Sequence, residues 1–191
     1  MPIYLGARDL AGMFVGTHQF IVLVSDKLLV SRTVGLTNVE AKFIGKKDEK
    51  PLYGIVIGAQ NRGNLVLEFF EKSDYQATME YFGGQDTKWY QSDFDAEMLE
   101  VDFGTTAEQA AIDAVLFRTG TFLLNQSLDP IRYPTNGFGY NSNSWAQSVI
   151  QYAGGKVVDD LGGLDVGSSK RIPQTYFEPF CPVNRRPKVN K

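Results

Sequence analysis

With 191 residues, 43% hydrophobic and 21% charged, the chain has the length and balance of one folded domain with its own core. A formal charge of −3 argues against nucleic-acid binding, and a single cysteine, Cys181, excludes an intrachain disulfide. No run approaches the roughly 20 apolar residues that span a bilayer.

The N-terminus lacks the basic and apolar regions of a signal peptide, so synthesis in a reducing cytosol is expected, with secretion only by a route that needs no signal. One domain is expected over 1–191: sheet-rich 1–72, helix-rich 73–155 and an irregular tail 156–191. The fold class expected is α+β, a mixed and mainly antiparallel sheet packed with helices. The first strand read in chain order is His18 to Val24, β-branched and aromatic, turning at Ser25-Asp26-Lys27 into a partner from Leu28 to Thr33. Asn38 to Ile44 is a further short strand. Tyr53–Ile57 and Leu65–Phe70 form a hairpin about the turn-rich 58–64, and their unbroken apolar character implies a sheet covered on both faces.

Helices follow. Ser73 caps one through Tyr81, stopped at Gly83-Gly84. Thr105-Thr106-Ala107-Glu108 matches a capping box and opens a helix to about Leu124, with Ala110, Ala114, Phe117 and Leu124, and Val115 and Phe122 nearby, as its buried stripe. The last helix begins near Ser142 and ends at Gly154-Gly155, with Trp145, Ala146, Val149, Ile150 and Ala153 on one face. Asp93, Asp95, Glu97, Glu100 and Asp102 read as a solvated acidic face, since their spacing lacks the glycine and terminal Glu of an EF-hand. Glycines and prolines make the segment after Gly162 irregular, and the basic cluster Arg185-Arg186-Pro187-Lys188 a solvated tail.

His18 is the only histidine, hence the only side chain with an ordinary pKa near neutrality and the natural general base. Asn141-Ser142-Asn143-Ser144 opens the last helix, where Ser and Asn cap well. The same first turn presents N–H groups and a positive dipole end to a nucleophile or an oxyanion. Glu68 is the most conspicuous strand carboxylate to orient the imidazole, with Glu40 and Asn64 as alternatives. Cys181, flanked by prolines, is a poor place for a nucleophile. One His and one Cys leave no zinc site of the usual kind, and no phosphate-binding loop is present; no cofactor is expected.

Gly16-Thr17-His18-Gln19-Phe20-Ile21-Val22-Leu23, followed later by Asn-Ser-Asn-Ser-Trp-Ala and Ala-Gly-Gly, resembles the histidine strand and nucleophile helix of permuted papain-like proteins. That group includes the NlpC/P60 and lecithin retinol acyltransferase relatives. The resemblance covers the His strand and about Asp129 to Gly155. It implies hydrolysis of an amide or ester bond, with peptide or acyl substrates, by Ser142 or Ser144 with His18 as base. Such domains recur among bacterial secreted effectors, including those of type VI secretion. The families carry Cys where Ser142 stands. That leaves a Ser-His hydrolase, a silent fold that binds a protein partner as effector or adaptor, and an engineered Cys-to-Ser change all open.

Overall fold

A computed structural model describes residues 2–9, 16–26, 32–84, 96–135, 139–156, 161 and 167–179. In chain order the elements are β1 (Ile3–Asp9), β2 (Thr17–Ser25), β3 (Arg32–Val34), β4 (Thr37–Val39), β5 (Lys42–Lys47), β6 (Lys50–Asn61) and β7 (Leu65–Phe69). Then come α1 (Lys72–Tyr81), β8 (Ala96–Glu100), α2 (Glu108–Leu128), α3 (Ser142–Tyr152) and a 3-10 turn at Gln174–Phe177. The fold is α+β. The main sheet runs β5-β6-β2-β1-β8, with β7 on β6 beyond the end of β5, and every pairing is antiparallel.

β2 lies at the centre, and all nine of its residues are buried. Alternation along a strand sends successive side chains to opposite faces. Ile21 and Leu23, with Leu5, Ile55 and Ile57, pack into the larger core beneath α2 and α3, which includes Trp145, Val149 and Ile150. Phe20, Val22 and Val24 face the other way, into a smaller core with Val56, Met98 and Ala77 of α1. Two covered faces explain why β2 and β6 read as continuous apolar runs and not as alternation.

Several expectations need correction. β2 pairs with β1 on one side and β6 on the other; of the expected partner Leu28 to Thr33, residues 28–31 lie outside the described residues, and Arg32–Val34 forms a separate hairpin with β4. Asn38 to Ile44 divides into β4 and β5. β8 occupies part of the acidic stretch, whose Asp93 and Asp95 lie outside the described residues. Asp102 is engaged by the Gly104 N–H and by Lys156.

The cap of α1 is Glu71, whose carboxylate accepts from the N–H groups of Ser73 and Asp74. No capping box forms at Thr105, because Gly104 turns the chain with φ 61° and Ala107 takes the cap position. Of the expected stripe of α2, Val115 and Phe122 are buried, while the rest of the buried face lies one residue round from Ala110, Ala114, Phe117 and Leu124. Ala111, Ile112, Val115, Leu116, Thr119 and Phe122 are buried, whereas Phe117 and Leu124 are exposed. α3 keeps its expected bounds and buried face, with Asn141 and Ser144 making a reciprocal capping box. No helix among the described residues is long and apolar enough to cross a membrane.

Candidate functional site around His18

Register places Arg8 opposite His18 on neighbouring strands, so both side chains leave the same face of the sheet. There they meet Asp74 in the first turn of α1. Arg8 Nε donates to Asp74 Oδ1 at 2.7 Å, Gln60 Nε2 donates to Oδ2 at 2.7 Å, and His18 Nε2 lies 3.1 Å from Oδ2. Gln60 Nε2 is also 3.2 Å from His18 Nε2, and Glu71 lies 3.7 Å from the Arg8 guanidinium. Glycine at position 58 makes room for this cluster, since a Cβ there would sit 2.2 Å from Asp74 Oδ2.

Asp74 is 0% exposed, and His18 only 3%. Burial alone would raise the pKa of the Asp74 carboxyl. The charges and hydrogen bonds of His18 and Arg8 outweigh it and hold the pKa below the ordinary carboxylate value. Asp74 is therefore an ionised acceptor with no proton to give, so the proton between it and the imidazole belongs to His18 Nε2. With Nε2 as the donor to Asp74, Nδ1 is the basic nitrogen of neutral His18. Because the chain has one histidine, its ¹⁵N–¹H long-range spectrum needs no assignment. The neutral form is expected to show a protonated Nε2 and an unprotonated Nδ1; the opposite pattern contradicts this geometry.

On the other side of β2, Gln19 accepts from Gln147 Nε2 of α3 at 3.0 Å. The start of α3 reaches the strand itself. Asn143 Oδ1 accepts from the Gln19 N–H at 2.9 Å, and its Nδ2 donates to the Thr17 carbonyl at 3.1 Å. β6 pairs with β2 only from Phe20 onward, so the Asn143 amide takes the two main-chain groups that bracket His18. Asn143, next in the chain to Ser142, is thereby fastened to the end of β2.

The structure does not join His18 to either serine by a hydrogen bond. His18 turns toward α1, and α3 lies on the opposite side of β2. Ser142 is 2% exposed and its hydroxyl donates to Asn143 Oδ1 at 3.2 Å. Ser144 serves the fold: its N–H donates to Asn141 Oδ1 at 3.0 Å, and its hydroxyl donates to the Gly167 carbonyl at 2.9 Å.

Glu68 does not orient the imidazole, because its carboxylate accepts from Arg62 Nε at 2.6 Å and Nη2 at 3.0 Å. Glu40 and Asn64 are exposed, and neither is hydrogen-bonded to His18. Cys181 lies outside the described residues. Asp74, Arg8 and Gln60 are the site residues that sequence reasoning missed. The one available signal was Ser73-Asp74 at a helix start, which reads equally well as capping. Comparisons with protein-family models, curated proteins and solved structures found no match to this chain.

Proposed function

We propose that this chain is a hydrolase of amide or ester bonds in permuted papain-like arrangement, with Ser142 as nucleophile, His18 as base and Asp74 as the group that orients it. The observation that carries the reading is the Asn143 clamp, which ties the start of α3 to the two main-chain groups flanking an imidazole already paired with a buried carboxylate. The step requires the Ser142 hydroxyl to leave Asn143 Oδ1 and the His18 ring, which faces α1, to meet it past the end of β2; Nδ1 then takes the serine proton as the oxygen attacks the substrate carbonyl. The tetrahedral oxyanion lies at the start of α3, where the Ser142 N–H has no acceptor among the described residues. Collapse expels the amine or alcohol, which takes the proton from His18. Water then attacks the acyl-serine through the same base. Hydrogen bonds of this kind tighten when substrate binds.

Peptide and acyl substrates suit the reading, as does a place among bacterial secreted effectors. The competing reading, a catalytically silent fold that binds a protein partner, is favoured by one observation: the Ser142 hydroxyl is spent on Asn143. A fluorophosphonate probe separates the two. The wild-type chain is expected to become covalently labelled at Ser142, and Ser142→Ala and His18→Gln to lose labelling at least tenfold. A folded wild-type chain that stays unlabelled overturns the hydrolase and leaves the binding protein.

A further inference from the structure

The His18 cluster holds one charge more than the orienting of an imidazole needs. Oδ2 of Asp74 faces His18, while Arg8 Nε takes the other oxygen, Oδ1, at 2.7 Å. Arg8 is itself buried, and the register of β1 on β2 sets it directly across from His18. Burying a guanidinium is costly. A neutral amide can donate to a carboxylate oxygen without that cost, as Gln60 does at Oδ2. What arginine adds at position 8 is therefore its charge.

That charge bears on the proton state of His18. A buried carboxylate standing alone beside an imidazole favours the imidazolium, which has no free nitrogen to accept a proton. With Arg8 on its other oxygen, the Arg8–Asp74 pair is neutral, and a second proton on His18 would leave a net positive charge in a buried site. The other described charges near the cluster are weaker claimants. Glu71 lies 3.7 Å from the Arg8 guanidinium, but its side chain is 18% exposed. Its carboxylate also accepts from the Ser73 and Asp74 N–H groups at the positive end of α1. Asp9 is exposed, β8 sets Ala96 across from Arg8, the Phe20 ring beside His18 is uncharged, and α3 has no charged residue.

We propose that Arg8 is a positioning residue: its guanidinium balances the Asp74 carboxylate, so that Asp74 orients His18 without holding it as the imidazolium. The use of this balance in catalysis rests on the hydrolase reading, whereas the proton state of the imidazole does not.

The test follows the ring ¹⁵N shifts of His18, the one histidine, against pH in the full chain. In Arg8→Gln the imidazole is expected to take its second proton at least about one pH unit higher than in wild type. Arg8→Gln/Asp74→Asn removes both charges and strands neither, which keeps the test open if Arg8→Gln does not fold. Its titration is expected within about half a unit of wild type, because the two charges cancel. The proposal is overturned if Arg8→Gln titrates with wild type or below it. It is equally overturned if the double variant falls about a unit or more below wild type, the result expected when the carboxylate acts alone. Labelling of Ser142 does not enter these titrations, so a failed hydrolase and a failed charge balance give different results.

Discussion

Replacing Asp74 by alanine is expected to lower the unfolding free energy at pH 7 by about 3–5 kcal/mol, the usual cost of removing one partner from a buried charge cluster. The Arg8 guanidinium, with 8% of its side chain exposed, would lose the carboxylate 2.7 Å away, and His18 would lose the acceptor for Nε2. Neither has water to replace it at this depth. The pH dependence follows from the lowered Asp74 pKa. A carboxyl with a depressed pKa in the folded state contributes fully above its unfolded value, near 3.9. The contribution is lost as pH falls through the folded value. Wild type and Asp74→Ala are therefore expected to differ most near neutrality and to converge in acid. Urea denaturation at pH 7 and at pH 3 measures both. A loss under about 1 kcal/mol at pH 7 contradicts a desolvated cluster.

The elements that were legible in the sequence carry their own local chemistry. α3 announces itself through a polar cap, an amphipathic face and a glycine stop, and all three are realised at Asn141, Trp145 through Ile150 and Gly154. The β6–β7 hairpin is likewise explicit in its apolar runs. What stayed hidden depends on non-local pairing. β1 reads as a mixed segment, and only β2 on one edge and β8 on the other make it a strand. Without β1, Arg8 has no reason to lie beside His18. Without the packing of α1 on that face, Asp74 is one more carboxylate in a helix's first turn. Part of the α2 stripe was misplaced by one residue because Phe117 and Leu124, apolar by type, are exposed and not in the core. Glu68 was conspicuous on its strand, but an arginine six residues earlier claims it.

In the permuted papain-like arrangement proposed above, position 142 would be the nucleophile's place, taken by cysteine in such families, and that offers the sharpest test. A cysteine introduced there would lie in the first turn of α3, next in the chain to the Asn143 clamp. The helix terminus and the imidazole both favour a thiolate. Removing the only native cysteine with Cys181→Ser leaves Ser142→Cys as the single thiol. The measurement is the pH dependence of its alkylation by iodoacetamide, with and without His18→Gln. An inflection at least one unit below the ~8.5 of a free cysteine is expected, moving back toward that value when His18 is replaced. An inflection at or above 8.5, indifferent to His18, would show that the histidine does not serve position 142 and would contradict the proposed site.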